Sequence, residues 1–272
     1  MKYCKYLSPS GITRYAFVEE RDGAWWATRP MPAPEEDLKV RLAELEDIST
    51  EAFTAAPLST LALLPPVTPS KIVCVGRNYS EHAAELGNDV PKEPLLFLKP
   101  PSSLLAPEGA VQMPALSKRI DYEGELAIVI GRRCRNLGPD EDTRQYIRGY
   151  TIVNDVTARD IQKSDGQWTR GKGWDTFCPV GPIVSDEIDP LHGAPVTVTT
   201  RLNGEVKQHG STADLIFPID YLLRYITAFL TLEPGDIVPT GTPSGVGPVQ
   251  PGDKVEVEVT GLGVLRNIFT AG

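Results

Sequence analysis

The sequence predicts a fold of the α+β class that is predominantly β, with a small N-terminal module before a larger main domain. Its 24 glycines and 25 prolines are spread along all 272 residues, which favours many turns and short strands. Short apolar or alternating segments, such as KIVCVG at 71–76 and VEVEV at 255–259, are typical of strands. Because 41% of the residues are hydrophobic, the chain can fill a substantial core.

The division into two parts is predicted from a change of composition near residue 66. Residues 1–66 contain three strand-like segments and then a charged run, Asp37 to Asp47, that predicts a helix, so this part is expected to be a small α/β module. The tandem Pro65 and Pro66 favour extended backbone and block a helix. The main domain is therefore expected to span 67–272.

Charge and hydropathy exclude several classes of function. The net charge of −9 and the pI near 5.0 argue against a general nucleic-acid or anionic-membrane binder, which needs a basic surface. The sequence has no apolar leader and no run of about eighteen apolar residues, so a cytoplasmic protein is expected. Its four cysteines form no CxxC pattern and predict reduced, buried thiols.

Three acidic residues predict a metal site. In an extended strand over Ile120 to Gly131, Glu123 and Glu125 share one face, with stems roughly 7 Å apart. Their repulsion is about 2 kcal/mol at an effective dielectric of 20, so a positive charge is expected between them. Asp155, at the end of a second apolar strand, would add a third carboxylate. Oxygen ligands alone favour Mg²⁺, with Mn²⁺ or Ca²⁺ as competitors; the alternative is a simply solvated polar face.

A short helix after KIVCVG carries a possible general base. Asn78 can cap this helix and Gly87 can end it. His82 and Glu85 then share a face, and a carboxylate beside an imidazole fixes its tautomer and raises its basicity. Such a pair could activate water. The alternative is an ordinary surface pair.

Two lysines and a glycine-rich segment add candidate ligand contacts. GQWTRGKG at 166–173 nearly spells a phosphate-binding loop, but Gly173 stands where Ser or Thr is needed, so a nucleotide site is rejected. Flexible backbone around Lys172 could still bring its charge to an anion at the metal, although a surface lysine is the alternative. Lys99 could contact substrate or reach solvent. The hydroxyls of Thr240 and Thr242 could hold a carboxylate.

Two further elements are predicted from local patterns. Asn203-Gly204 between alternating segments predicts a two-residue hairpin. Pro218 predicts the start of the longest helix, with a core-facing stripe formed by Leu222, Ile226, Phe229 and Leu230.

Six motifs, in this order, resemble the fumarylacetoacetate hydrolase family: GRNYSEH, DYEGELAIVIG, NDVTARDIQ, WTRGKGWDTFCPVGP, DLIFP and LEPGDIVPTGTPSGVGP. The resemblance runs from about Lys71 to the C-terminus and is to bacterial members with a small N-terminal module. It implies a roll of mixed β-sheets around a divalent-metal site, usually in a homodimer.

The resemblance also implies roles for particular residues. Glu123, Glu125 and Asp155 match the family's metal ligands, and His82 and Glu85 match a dyad on a mobile lid. The groups expected to face the substrate are Lys172, Gln162 and Thr240, with Arg77, Lys99 and Thr242 as additional candidate contacts.

These residues predict a hydrolase that depends on a divalent metal and cleaves a C–C bond of an acylpyruvate-type 2,4-dioxo acid through a pyruvate enolate held at the metal. The same enolate would arise in oxaloacetate decarboxylation or tautomerisation, or in isomerisation or decarboxylation of a hydroxymuconate-type substrate, so these reactions are the alternative. A non-catalytic protein that binds a dicarboxylate or a metal is a third hypothesis.

Overall fold

The structure is a computed structural model that describes residues 1–34, 53–85 and 90–272, except for the side chains of residues 82–84. The helix predicted at Asp37 to Asp47 and the helix end predicted at Gly87 lie outside these residues.

A large mixed sheet organises the described chain, which confirms the predominantly β prediction. Its main path runs β4-β3-β2-β1-β14-β12-β11-β17-β6-β7, with β5 against β1 and β8 against β14. The bounds of its strands are β1 Lys2–Leu7, β2 Thr13–Arg21, β3 Ala24–Met31, β4 Ala56–Pro57, β5 Ala62–Leu64, β6 Ile72–Gly76, β7 Leu95–Lys99, β8 Leu104–Leu105, β11 Gly124–Ile130, β12 Ile147–Asn154, β14 Cys178–Ser185 and β17 Ile237–Pro239.

Two smaller sheets complete the β structure of the described residues. One has the order β16-β15-β19-β20-β9 and the other the order β13-β10-β18. The strands are β9 Ala110–Met113, β10 Ile120–Tyr122, β13 Thr157–Ala158, β15 Thr197–Leu202, β16 Glu205–Ser211, β18 Gly247–Pro248, β19 Lys254–Val259 and β20 Gly263–Ala271. Asn203 and Gly204 join β15 to β16 with φ values of 52° and 85°, which confirms the predicted hairpin.

Four α-helices lie in the described residues: α1 Ser80–Glu85, α2 Arg159–Asp165, α3 Thr169–Lys172 and α4 Ile219–Phe229. Pro218 directly precedes α4, and Leu222 and Ile226 are buried as predicted. Phe229 is 59% exposed, so its assignment to the core stripe is wrong. It is the last helical residue, and its ring turns towards Tyr225, with 6.5 Å between ring centroids.

The N-terminal strands belong to the large sheet. β1 pairs antiparallel with β14, with Lys2 opposite Ser185 and Tyr3 opposite Val184. This pairing makes the large sheet continuous across residue 66. The division of the chain at residue 66 stays a prediction. None of the helices among the described residues has the length and hydropathy of a membrane-spanning segment.

The central strand β11 is buried on both faces. Leu126 and Ile128 pack into a core shared with the five-stranded sheet, whereas Ala127 and Val129 pack into a second core on the opposite face. A strand buried on both faces has little freedom to move. It is therefore a rigid support for the polar side chains at its beginning.

Candidate metal and substrate site

The strand predicted over Ile120 to Gly131 is interrupted at Glu123, between β10 and β11. The interruption is held by hydrogen bonds: the amide of Glu123 donates to Oδ1 of Asn154 at 2.9 Å, and the amide of Gly124 donates to Oε1 of Gln208 at 3.0 Å. The amide of Asp155 donates to the carbonyl of Glu123 at 2.8 Å. These bonds fix the end of β12 against the start of β11.

The three predicted metal ligands meet at this point. Glu123, Glu125 and Asp155 each offer a carboxylate oxygen, and these oxygens lie within 4.8 Å of one another. All three side chains are buried, with Asp155 only 1% exposed. Three buried carboxylates at this spacing repel one another strongly unless positive charge lies among them.

Three cationic side chains compensate part of this charge. The ammonium group of Lys172 bridges Oε2 of Glu123 at 2.7 Å and Oδ2 of Asp155 at 2.6 Å. Lys99 donates to Oδ1 of Asp155 at 2.6 Å, and Arg159 donates to Oε1 of Glu123 at 2.5 Å. Burial opposes charge on Lys172, but Asp155 and Glu123 outweigh it and raise the pKa of this lysine. Lys172 is therefore an ammonium group at neutral pH.

Glu125 is the carboxylate that lacks a cation. It makes no ion pair with any described residue, and its Oε2 accepts a hydrogen bond from the amide of Gly241 at 2.8 Å. Burial, reinforced by Asp155 and Glu123, raises the pKa of Glu125 well above its ordinary value. A positive charge beside Glu125 would therefore favour its ionised form. The all-oxygen donor set of the triad fits a hard divalent cation such as Mg²⁺, Mn²⁺ or Ca²⁺.

The glycine-rich segment after β17 supports this strand. Thr240 donates through Oγ1 to the carbonyl of Leu126, and Thr242 donates through Oγ1 to the carbonyl of Gly124, both at 2.9 Å. Gly241 has φ 104°, which favours glycine, and its amide contacts Glu125. The two threonines therefore orient β11. Both hydroxyls, predicted to hold a substrate carboxylate, are engaged with backbone carbonyls.

Helix α1 is hydrogen-bonded to the glycine-rich segment that follows β17. Asn78 does not precede α1 directly; its carboxamide contacts the backbone of Phe217 and Thr240, which differs from the predicted helix cap. The carboxylate of Glu85 accepts from the amide of Gly245 at 3.1 Å. The side chain of His82 lies outside the described residues, so the pairing of His82 with Glu85 stays a prediction.

A cavity of about 330 Å³ opens onto the triad. Among the residues predicted to face the substrate, Arg77, Gln162, Lys172 and Thr242 line it. Lys99 and Thr240 are not among its lining residues. The side chain of Lys99 donates to Asp155, and that of Thr240 donates to the carbonyl of Leu126. The structure thus brings most of the predicted groups to one cavity and assigns these two to its support.

An aromatic wall closes one side of this cavity. The ring of Trp168 meets Phe97 edge-on at 5.2 Å between centroids, and the Lys172 ammonium group lies 5.0 Å from the Phe97 ring centre. Gly76 leaves room for this wall, since a Cβ there would lie 2.8 Å from Trp168. Phe97 and Trp168 therefore give the cavity one apolar side.

Sequence reasoning missed seven residues that line the cavity, and the four with aromatic or charged side chains are Phe97, Arg159, Lys163 and Trp168. Arg159 carried a usable signal, because it lies three residues before Gln162 and therefore on the same helical face. Its guanidinium group donates to Oε1 of Gln162 at 2.8 Å and links Glu123 to Asp121. Phe97, Lys163 and Trp168 carried no such signal, since only the folded chain brings them together.

The described residues thus form a mostly β fold in which a buried carboxylate triad, bridged by Lys172, lies at a small cavity. The chain matches the family described as fumarylacetoacetate (FAA) hydrolase, C-terminal, over residues 71–270. It therefore belongs to the fumarylacetoacetate hydrolase family, whose members include hydrolases, isomerases and decarboxylases.

Individual relatives differ in the activity that their names state. The chain is 46% identical over 201 residues to a mitochondrial oxaloacetate decarboxylase of Dictyostelium discoideum, covering 72% of this chain and 91% of the relative. It is similar to the solved structure of 2-hydroxyhepta-2,4-diene-1,7-dioate isomerase from Mycobacterium marinum, with a TM-score of 0.83, 39% identity, and coverage of 100% and 98%.

A third likeness is to a structure with ligands. Fumarylpyruvate hydrolase from Pseudomonas aeruginosa, solved in complex with Mn²⁺ and pyruvate, aligns with a TM-score of 0.69 and 30% identity. The alignment covers 76% of this chain and 91% of that chain. A protein of the same fold thus holds a divalent metal and a 2-oxo acid together.

Proposed function

We propose that this protein is a hydrolase dependent on Mg²⁺ or Mn²⁺ that cleaves a C–C bond of an acylpyruvate-type 2,4-dioxo acid. The observation that carries the proposal is the pairing of Lys172 with Glu123 and Asp155 at the inner end of a cavity of about 330 Å³. Glu123, Glu125 and Asp155 would hold the cation. When bound, it would supply Lewis-acid polarisation of the 2-oxo group and a template for the substrate.

Lys172 would stabilise the negative charge that develops on the pyruvate half when the C–C bond breaks. Its charge is buried, because the side chain is 2% exposed, and a buried positive charge is worth more to a developing anion than one in water. Removing one such preorganised group typically lowers the rate by about 10²- to 10³-fold. Lys172 is thus proposed as a catalytic residue that contacts the reacting oxygen.

Two neighbouring groups would orient the bound 2-oxo acid. Gln162 is fixed by Arg159, which leaves its amide NH₂ available to donate into the cavity. Arg77 lines the same cavity and adds a second positive charge. Lys99 and Thr240 are proposed as positioning residues, since they hold Asp155 and β11.

Water activation is assigned to His82 with Glu85. Helix α1, which carries both, is tied to the glycine-rich segment through Glu85 and Gly245, next to Thr242 of the cavity. His82 would take a proton from water, and the resulting hydroxide would attack the distal carbonyl. This step distinguishes hydrolysis from the other reactions of the same intermediate.

Oxaloacetate decarboxylation or tautomerisation is the second candidate, and a hydroxymuconate-type isomerisation or decarboxylation is a related one. The 46% identity to a protein named oxaloacetate decarboxylase and the likeness to a heptadienedioate isomerase favour them. Each reaction passes through the same kind of enolate, which Lys172 would stabilise. None of these reactions requires a base that activates water.

A substrate screen tests the proposal. Purified protein with Mg²⁺ or Mn²⁺ is assayed for pyruvate release from acylpyruvates and oxaloacetate, and for spectral change with hydroxymuconates. We expect turnover of acylpyruvates that is lost with EDTA and restored by added metal. Failure to convert any member of the panel would favour a non-catalytic binding protein.

A single variant separates the two enzymatic candidates. His82→Ala is expected to abolish acylpyruvate hydrolysis while leaving oxaloacetate decarboxylation largely intact. Glu125→Gln serves as the control that removes both, because it removes a proposed metal ligand. Equal loss of both activities in His82→Ala would contradict the assignment of His82 to water activation.

A further inference from the structure

One buried carboxylate beside the site has no part in the proposed reaction. Asp121 is fully buried on β10, two residues before Glu123, and it is not among the residues that line the cavity. A buried carboxylate destabilises a fold unless charged or polar partners compensate it. The role of Asp121 is therefore inferred from its partners.

Two arginines contact Asp121 from different environments. Its Oδ1 accepts from Nε of Arg119 at 2.9 Å, and its Oδ2 accepts from Nε of Arg159 at 2.8 Å. The side chain of Arg119 is 47% exposed, whereas that of Arg159 is 4% exposed. Because solvent screens the exposed pair, the Coulomb attraction between Asp121 and Arg159 is the stronger of the two.

Arg159 connects Asp121 to the site. Each of its three guanidinium nitrogens donates to a different residue: Nε to Asp121, Nη1 to Oε1 of Gln162 at 2.8 Å and Nη2 to Oε1 of Glu123 at 2.5 Å. The guanidinium group is planar and rigid, so the direction of one N–H sets the directions of the others. Asp121 therefore orients the nitrogens that contact Gln162 and Glu123.

The backbone around Asp121 is held by contacts that do not involve its carboxylate. Asp121 lies opposite Thr157 in the pairing of β10 with β13 and opposite Pro248 in the pairing of β10 with β18. The amide of Arg159 donates to the carbonyl of Arg119 at 2.8 Å. Replacing the carboxylate should therefore act mainly on the direction of the Arg159 guanidinium group.

Arg159 would have a second way to bind Glu123 if the Asp121 carboxylate were absent. Glu123 would then be its remaining acidic partner within the described part of the chain. Arginine favours two parallel hydrogen bonds to a carboxylate. A guanidinium group that is free to turn would donate to Glu123 through two nitrogens. It would compete with a metal ion for Glu123 and release Gln162.

We infer that Asp121 is a positioning residue that holds Arg159 to one hydrogen bond with Glu123 and directs a second hydrogen bond to Gln162. Glu123 then stays available to the metal ion, and Gln162 stays oriented towards the substrate. This inference rests on the proposed function and adds to the site a residue outside the cavity. Asp121 acts through Arg159, because it does not line the cavity itself.

Titration with Mn²⁺ tests the inference without turnover. Asp121→Asn keeps the shape of the side chain and removes its charge, and calorimetry should show Mn²⁺ binding about 10- to 100-fold weaker than in wild type. Asp160→Asn is the matched control, because the Asp160 carboxylate on α2 accepts from Ser117 and Lys118 instead of an arginine. Its Mn²⁺ affinity should stay close to that of wild type. Equal affinities in the two variants would overturn the inference.

Removing Arg159 as well separates positioning from a structural role. The double variant Asp121→Asn, Arg159→Met lacks both charges of the buried pair and the guanidinium group that would compete for Glu123. It should bind Mn²⁺ more tightly than Asp121→Asn, whereas a structural defect at Asp121 would persist. Binding no tighter than in Asp121→Asn would overturn the inference. If Asp121→Asn does not fold, the comparison is with wild type, and Mn²⁺ binding weaker by more than about 100-fold would overturn it.

The affinity for pyruvate tests the contact with Gln162. At saturating Mn²⁺, pyruvate should bind about 10-fold more weakly to Asp121→Asn and to Gln162→Ala, because each change removes one oriented hydrogen-bond donor. The double variant Asp121→Asn, Gln162→Ala should bind pyruvate no more weakly than Gln162→Ala, since the two residues act in one chain of contacts. Additive losses would overturn the link between Asp121 and Gln162.

Turnover separates this inference from the function on which it rests. The expected loss of Mn²⁺ affinity in Asp121→Asn, combined with no pyruvate from any acylpyruvate in wild type, would contradict the proposed reaction and support the positioning role. Acylpyruvate turnover and Mn²⁺ affinity that are both unchanged in Asp121→Asn would overturn the inference and leave the proposed reaction standing.

Discussion

Lys99 and Asp155, 56 residues apart in the chain, form a fully buried ion pair in which Nζ lies 2.6 Å from Oδ1. Each residue is only 1% exposed, and Lys99 also donates to the carbonyl of Val156 at 3.2 Å. Lys99 therefore holds a proposed metal ligand from behind, at the end of β7. Replacing Lys99 should therefore lower the free energy of unfolding.

Lys99→Met is expected to destabilise the fold by about 3 to 5 kcal/mol, since it leaves the Asp155 charge with one fewer buried partner. Urea unfolding with EDTA present measures the change. Lys71→Met is the matched control: Lys71 pairs with buried Asp236, but backbone amides at Ser70, Lys71 and Glu233 also donate to that carboxylate. A loss for Lys99→Met no larger than for Lys71→Met would contradict this role.

Gly124 separates two of the proposed metal ligands and packs tightly against the five-stranded sheet. A Cβ at this position would lie 2.1 Å from Oγ1 of Thr200 and 2.9 Å from Cγ1 of Val257. Gly124→Ala should therefore displace β11 and weaken Mn²⁺ binding by at least about 10-fold, on the scale of changes next to metal ligands.

The double variant Gly124→Ala, Thr200→Ala is the control for steric crowding, because it removes the nearest atom. We expect it to recover part of the Mn²⁺ affinity measured by calorimetry. Unchanged metal affinity in the single variant would show that the spacing of Glu123 and Glu125 does not depend on this contact.

Lys172 holds two carboxylates that a metal ion would also use. Lys172→Met should bind Mn²⁺ more tightly than wild type, because it removes a competing positive charge from Glu123 and Asp155. Its turnover should fall by about 10²- to 10³-fold. Calorimetry and steady-state kinetics give the two values.

Lys163→Met is the control for charge alone, since Lys163 lines the same cavity but contacts neither carboxylate. Its Mn²⁺ affinity should stay close to that of wild type. Weaker Mn²⁺ binding in Lys172→Met than in wild type would mean that the lysine supports the metal site instead of competing for it.

Buried thiols predict a loss of stability at alkaline pH. Burial raises the pKa of Cys4, Cys134 and Cys178 to about 12, whereas an unfolded thiol has a pKa of about 8.5. Above the lower value the unfolded state releases protons that the folded state retains. The free energy of unfolding should therefore fall as the pH rises from about 8.5 towards 12, by up to about 1.4 kcal/mol per pH unit for each thiol.

Urea unfolding under reducing conditions at pH 8, 9 and 10 measures this slope. Cys4→Ala, far from the metal site on β1, should reduce the slope by one thiol's share. A free energy of unfolding that stays constant over this range would refute the expected linkage.

Local patterns predicted the parts of the site that lie close together in sequence. Alternation along one strand placed Glu123 beside Glu125, and an apolar strand end pointed to Asp155. The break at Glu123 was not predictable, because it depends on hydrogen bonds that the amide of Glu123 donates to Asn154, 31 residues away, and the amide of Gly124 donates to Gln208, 84 residues away.

The direction of long side chains was also beyond the sequence. A lysine near a strand end can reach solvent, a ligand or a buried acid. Only the position of β7 beside β6 in the large sheet directs Lys99 to Asp155. Phe229 was assigned to the core from helical periodicity, but it ends its helix beside Tyr225. The fold class, the hairpin at Asn203 and the start of α4 needed only local information.

Titration of the metal-free protein with Mn²⁺ tests the central claim most directly. If Glu123, Glu125 and Asp155 hold one divalent cation, calorimetry should give one Mn²⁺ per chain. Glu125→Gln should then weaken binding by more than the roughly 10- to 100-fold typical of changes outside the ligand shell. Absence of binding in the wild type, or an unchanged dissociation constant in Glu125→Gln, would contradict the account.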